Sequence, residues 1–504
     1  MVESGLLRIS RKLYGEIGPA FYGLRTTLLT LLLMALLRIK RPEHLKERDP
    51  AAFGRLLGLD RAPEVKTLRR RLTHLAAHHC AEQLGAELAR MRVNQRGHLM
   101  GFLYIDGHVR AYHGQRPIAS RAYVSRRHLA MPASTDYWIN DRSGDPLFVV
   151  TGEVNAALTK ALPRLLGEVR DVVGERRVTI VFDRGGWSPK LFDTMIKDGF
   201  DVLTYRVGRC RHVNKKRFVR RRAELDGRWV DYLLHDQPVR FLKGKLRLRQ
   251  VTRLCDTGHQ TQVITSRWDL RDVDVAYRMF DRWRQENFFK YASHHYGIDA
   301  LCDYDADLRP DTTRRANPAR KPARATLKTA QDELAAAERA LTQLLGDHTR
   351  PVAQINDAVP AARVRIEQAT TALDQAKTTL KTIPAKLPAN QIDPDATQAL
   401  LRTSRRTLQM VLRLLACNAE QWLATHLGAY LLHDDEEHRA ITRQTIIRGL
   451  GGTITYTREK ITVSLDRPDT PRITRALRLL LEEINHTPPR IPGDPRPITY
   501  TLTP

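Results

Sequence analysis

The sequence predicts an α/β protein: a mixed-sheet domain over residues 98–303 with a β-rich insertion at 206–266, flanked by a helical N-terminal region and a mainly helical C-terminal region. Three observations predict it. Two short apolar runs each lead into an acid, GFLYI into Asp106 and VTIVF into Asp183. Between them lies a stretch with helical spacing, Leu158, Leu162, Leu165, Leu166 and Val169; strands alternating with helices build α/β sheets. Residues 1–97 carry long apolar patterns with few strand signals, while 206–266 is strand-like almost throughout.

Taken in order, the run LLTLLLMALL at 28–37 is too short to span a bilayer, which takes about 20 residues, so it predicts a buried helix. It also lies too far from the start, behind charged residues, for an export signal. Pro63 marks a helix start, and EVKTLRRRL at 64–72 is a short basic helix. It reads either as part of a helix-turn-helix lying on DNA or as a solvated amphipathic helix. Strands are expected at 101–106, 122–124, 137–139 and 147–151, a helix at 155–173 and a buried strand at 178–182. Ser188 caps the next helix with Pro189 at its first position, and a strand follows at 202–205. The insertion reads as hairpins (229–234, 246–254, 262–266), followed by one helix over 272–296.

A basic, proline-containing stretch at 304–325 predicts a flexible linker. Leucines at heptad spacing (Leu327, Leu334, Leu341, then Ile366, Leu373, Leu380) flank a loop near 346–360 and predict a helical hairpin over 326–388. It either packs on itself or serves as a dimerisation arm. Residues 389–504 form an α+β region: helices over 397–432, a β-hairpin at 453–464 and a last helix at 472–484.

Charge narrows the function. The 504 residues hold 83 Lys and Arg against 56 Asp and Glu, a net of +27. Such an excess attracts polyanions, nucleic acid first. An anionic membrane is the weaker alternative, because the basic residues are spread along the chain rather than flanking an apolar anchor. The five cysteines form no C-x-x-C pair, which argues against a zinc site and for a reducing cytoplasm, near the nucleoid if DNA is the partner. No glycine-rich phosphate loop points to ATP dependence.

Chemistry gathers on three acids. Alone, Asp106 before Gly107 and Asp183 before Arg184-Gly185 read equally well as turns, and Glu286 as an exposed helical glutamate. Together they place two acids at the carboxyl ends of adjacent strands, where ligands gather, with a third on a helix beyond the insertion. A set of carboxylates without Cys or His suits a hard cation, Mg²⁺ or Mn²⁺. Two such ions can serve an in-line phosphodiester displacement. Arg278, Arg282, Glu286 and Lys290 recur every four residues and are expected on one helix face. The basic members would lie beside a bound phosphate as DNA contacts; the alternative is a surface salt-bridge stripe.

These residues resemble the DDE transposases of bacterial insertion sequences, in the branch with a β-strand insertion before the glutamate. Arg282-Trp283-Arg284-Gln285-Glu286-Asn287-Phe288-Phe289-Lys290 is similar to that branch's R-W-x-x-E-x-F-F-K reading of its Tyr/Arg/Glu/Lys helix. Tyr104-Ile105-Asp106-Gly107 and Val181-Phe182-Asp183-Arg184-Gly185 match its first two motifs. The resemblance covers roughly 98–303. It implies a ribonuclease-H-like catalytic domain, two divalent ions held by Asp106, Asp183 and Glu286, double-stranded DNA as partner and a homodimer holding two transposon ends. It further implies end cleavage followed by strand transfer into target DNA. Two positions depart: Met279 stands at the signature tyrosine and Ser293 at the final lysine. The contacts those side chains make to DNA do not carry over. A nuclease of the same fold and an inactive DNA-binding relative are the alternatives.

Three further features invite readings. The run RCRHVNKKRFVRRR at 209–222 is either a phosphate-tracking strip or a solvated basic loop. Trp187 and Trp268 are expected in the core or stacked on an unpaired base. His108 is expected packed or solvent-facing, with an approach to the metals as the alternative.

Overall fold

The apolar run at 28–37 forms most of a buried helix in the computed structural model, which describes residues 4–18, 22–57, 59–113, 121–124, 129–151, 158–299, 306–431, 435–448, 451–491 and 494–504. Five helices open the chain: Leu6–Tyr14 (α1), Leu24–Leu36 (α2), Pro50–Leu57 (α3), Val65–Ala77 (α4) and Ala81–Gln95 (α5). Apolar on most sides, α2 buries Leu28, Leu31, Leu32, Met34 and Leu36. Among the described residues no helix is long and apolar enough to cross a membrane.

A ten-stranded mixed sheet follows. Its first strands are Phe102–Ala111 (β1), Arg121–Val124 (β2), Leu129–Asn140 (β3) and Pro146–Thr151 (β4). Leu158–Val173 (α6) leads to Val178–Phe182 (β5), then Pro189–Lys197 (α7) to Phe200–Tyr205 (β6). β3 runs antiparallel to β1 and β4, whereas β5 is parallel to both β1 and β6. The insertion adds Val219–Leu225 (β7), Arg228–Phe241 (β8), Leu246–Leu254 (β9) and Gln260–Thr265 (β10) to the same sheet. β10 pairs antiparallel with β6, and the order runs on through β9 and β8 to an edge at β7.

Both faces of the centre are covered, as β1 and β5 require. Leu103, Ile105, Val178, Ile180 and Phe182 face a core shared with α6 and α7. Phe102, Tyr104 and Val181 face the opposite core, with Leu203, Val263 and the helix that follows the insertion. Such two-sided burial explains why these strands read as continuous apolar runs.

The helix expected over 272–296 is two helices, Asp272–Phe280 (α8) and Trp283–Tyr296 (α9). Asp281 and Arg282 form the joint, where Arg284 N–H and Gln285 N–H reach back only three residues, to the carbonyls of Asp281 and Arg282. Each half serves its own core. Val273, Val275, Ala276 and Met279 of α8 pack on the sheet. Phe288, Ala292 and Tyr296 of α9 pack with Trp138 and the N-terminal helices.

Residues 306–401 form a separate compact unit. Ala306–Pro310 (β11) and Arg314–Ala316 (β12) lead into Arg320–Leu345 (α10) and Val352–Thr382 (α11), followed by Lys386–Pro388 (β13), Ala389–Ile392 (α12) and Thr397–Leu401 (β14). β11 pairs with β14 and β12 with β13. The described part of the expected linker at 304–325 is therefore strand and helix, because its backbone finds partners 70 to 95 residues later in the chain. The hairpin is present, with a shorter loop than expected: α11 starts at Val352 and runs through Pro360. Proline's missing N–H suggested a break there. Ala330, Leu373 and Ala376 are its buried core, with Leu327 and Leu334 packed against them.

From 402 the chain rejoins the first unit instead of forming a region of its own. Ser404–Gly428 (α13) packs on α2, α4, α5 and β4. Asp435–Arg448 (α14), Thr453–Tyr456 (β15), Ile461–Leu465 (β16), Pro471–His486 (α15) and Ile498–Leu502 (β17) complete it. β17 pairs parallel with β16, a strand that the sequence pattern did not announce.

Candidate active site

The parallel register of β1 and β5 sets the first two acids side by side. Tyr104 is the partner of Val181, and Asp106 and Asp183 each lie two residues further on. Asp183 follows the end of β5; its Oδ1 accepts from Gly185 N–H at 2.8 Å and its carbonyl from the Thr204 hydroxyl at 3.2 Å. Asp106 is not at a strand end, as expected, but inside β1 opposite Trp138. The turn reading of Asp106-Gly107 therefore fails. Gly107 is glycine for a packing reason: a Cβ there would sit 3.1 Å from Thr135 Cγ2 and 3.3 Å from the Tyr137 ring. The Asp106 Oδ1 accepts the Gly107 N–H at 2.8 Å.

Glu286 reaches the pair from the first turn of α9. Its neighbour Gln285, fully buried, fixes the helix to the sheet. The Gln285 amide donates to the Tyr104 carbonyl at 3.1 Å, the Trp138 carbonyl at 3.3 Å and Asn140 Oδ1 at 3.2 Å. Arg282, at the joint, links the acids: its Nη2 lies 3.6 Å from Asp106 Oδ2 and 3.6 Å from Glu286 Oε1. Burial pushes the Asp106 carboxyl up to about 6, against the pull of Arg282, and the negative charges of Asp183 and Glu286 add to the rise. Asp183 and Glu286 are thus both close enough for their charges to act on Asp106. Tyr205 at the end of β6 feels the charges of Arg282 and Glu286 as well, and burial raises its hydroxyl.

Among the described residues no three His, Cys, Asp or Glu side chains are drawn tightly enough together to hold a metal ion. The guanidinium of Arg282 lies between two of the acids instead. In donor chemistry the set fits a hard cation, since every oxygen is a carboxylate. The Glu286 side chain is 58% exposed.

Other residues singled out in the sequence fall differently. Arg278 is not on the Glu286 face. It is buried at 5% exposure, donating to both carboxylate oxygens of Asp226 at 2.5 and 3.1 Å. Asp226 sits at the tip of the β7–β8 hairpin and also pairs with Arg142. Burial opposes its ionisation, but hydrogen bonds from Arg278 and Arg142 hold its carboxyl well below the usual range. Lys290 is exposed, one turn beyond Glu286. Met279 is fully buried in the α8 core. Ser293 donates to Asp299 at 2.8 Å, and His108 pairs with the same carboxylate at 2.6 Å while stacking on Phe289. His108 is thus packed rather than solvent-facing. Trp187 packs edge-on against Phe192 and Phe241, and Trp268 is half-exposed beneath Arg247. In the basic run, Arg220 and Arg222 pair with Asp231, and Arg221 with Asp272.

Gln285, Asp226 and Arg142 were missed by the sequence reading. Nothing local marks them, because their partners lie on other elements.

The chain belongs to a family of transposases: a family described as transposase protein matches residues 1–503. No curated protein sequence matches it. Two solved structures are similar over part of it. One is the Mos1 transposase paired-end complex with left transposon end, 12% identical with a TM-score of 0.15, covering 32% of this chain and 56% of that chain. The other is the Mos1 strand transfer complex, 13% identical with a TM-score of 0.15, covering 32% of this chain and 55% of that chain. Each match thus spans about half of the solved chain. Overlaps this weak say nothing about how the site works.

Proposed function

We propose that the protein is a DDE transposase of the insertion-sequence type that cuts transposon-end DNA and transfers the freed strand into a target. One observation carries the reading: Asp106 inside β1 and Asp183 just past the end of the parallel neighbour β5 lie in adjacent register, and Arg282 joins Asp106 to the helical Glu286. The strand order β4-β3-β1-β5-β6, with the insertion leaving after β6, supports a ribonuclease-H-like domain of that branch. Family membership and the net charge of +27 support DNA as the partner. In this reading the enzyme works in the cytoplasm on nucleoid DNA, as a homodimer that holds two ends.

Asp106, Asp183 and Glu286 would hold two Mg²⁺ or Mn²⁺ ions. Bound there, the ions would activate the attacking oxygen and neutralise the leaving one. Asp183 is fixed for this by the Gly185 N–H, and Asp106 by the Gly107 N–H. Gln285 sets the position of α9 and hence of Glu286. Lys290, exposed on the same helix, faces solvent where a phosphate backbone would pass.

The departure at position 293 favours a second reading, an inactive DNA-binding relative: Ser293 is tied to Asp299 and brings no charge. Cleavage of DNA carrying the element's own ends, with Mg²⁺ or Mn²⁺, separates the two. We expect the wild type to cut and join while Glu286→Gln binds DNA and stays silent. Binding without cutting by both proteins would leave the inactive relative standing.

A further inference from the structure

Arg282 is an unusual arginine in this chain. Its side chain is only 10% exposed, and its partners are two acids of the trio, each 3.6 Å away. That is beyond hydrogen-bond length, where strong Arg–carboxylate pairs sit at about 2.7–2.9 Å. Its other terminal nitrogen, Nη1, is buried with no hydrogen-bond partner. Arg278, four residues earlier, is held at 2.5 and 3.1 Å by a single carboxylate. A buried cation whose carboxylate partners are both this distant is poorly explained by stability alone.

We infer that Arg282 is the resting counter-cation of the acidic trio, and that it couples metal loading to DNA. The inference rests on the proposed acid site. In the free protein the guanidinium balances Asp106 and Glu286 and competes with a divalent ion for them. No hydrogen bond is broken when it withdraws, and once the side chain has swung out of its buried position the unpaired Nη1 can donate to a phosphodiester oxygen. A DNA phosphate therefore gives Arg282 a new partner and releases the acids to the ion. By reciprocity, the ion frees Arg282 for the phosphate. DNA and divalent ion then bind more tightly together than either does alone.

Mn²⁺ binding to the full chain, followed by electron paramagnetic resonance, tests this without any cleavage step. The proteins are wild type, Arg282→Gln and Arg282→Met, with Glu286→Gln to identify the site and melting curves to confirm folding. Without DNA, the Arg282 variants should bind Mn²⁺ at the Glu286-sensitive site about tenfold more tightly than wild type. Adding a duplex of the transposon end should tighten Mn²⁺ binding by wild type and leave the folded variants unchanged. Equal or weaker Mn²⁺ binding by a folded variant, with the Glu286-sensitive site present in wild type, overturns the role of Arg282 alone. Loss of any Glu286-sensitive site in all the proteins overturns the acid site itself, and this inference with it.

Discussion

α8 and α9 come from one stretch of sequence with one charge period, yet they behave as opposites. α8 is locked: Arg278 is clamped on Asp226, and Met279 fills the core beneath it. The start of α9 is poised: Arg282 hangs between two acids, and Glu286, Asn287 and Lys290 face outward. The break at Asp281-Arg282 is what permits this. A continuous helix would have put Arg278 and Arg282 on one face and bound both to the same task. Where two halves of a periodic stretch serve different cores, the period survives in sequence but loses its meaning as a face.

The largest expected effect lies on the poised side. Asp183→Asn or Glu286→Gln should lower end cleavage about a thousandfold or more, roughly 4 kcal/mol of barrier, with the melting temperature nearly unchanged. A comparable loss of stability would instead place these acids among the structural groups. Next comes the locked side. Arg278→Ala leaves Asp226 without its main partner and should cost roughly 3–5 kcal/mol in denaturant unfolding. A loss below 1 kcal/mol would show that the clamp is not what separates the two helices.

Gln285→Ala tests the tie between the halves and the sheet. It strips donors from two buried carbonyls and should cost about 1–3 kcal/mol, with a fall in the cleavage rate at saturating DNA. The smallest effect is in pH. Because the folded Asp106 carboxyl is raised to about 6, the buried charge costs no stability below the ordinary carboxylate range. The cost grows as pH rises towards 6 and is complete above it. A cation needs the ionised form, so Mn²⁺ affinity should be level above pH 6 and fall about tenfold per unit below it. A profile flat from pH 7 to 4.5 would remove Asp106 from the ligand set.

Much of the central sheet was legible because β1 and β5 open on apolar runs that lead into an acid. β1, β5, β6 and the insertion strands β8, β9 and β10 fall where the runs lie, whereas β7 lies partly in the basic run that reads as a strip or a loop; Ser188 with Pro189 marks the start of α7. The three acids were legible as residue types on expected elements, and the register then sets Asp106 beside Asp183. What stayed hidden depended on distant partners. Arg278 looked like a surface cation because Asp226, 52 residues earlier, is invisible to any local pattern. The strands within 304–325 are short and take shape through distant pairing, and β17 through pairing and its packing on α15. Pro360 suggested a loop end that the long helix overrides.

The outer edge of the sheet carries one more consequence. Among the described residues β7 has no strand beyond it in its sheet, and it shows Val219 and three consecutive arginines to solvent. An open edge is a template on which another chain can polymerise. Arg220, Arg221 and Arg222 are held in place by Asp231 and Asp272, and their stems and charges crowd the row of free backbone groups. Charged side chains on such an edge disfavour edge-to-edge pairing with another copy of the sheet.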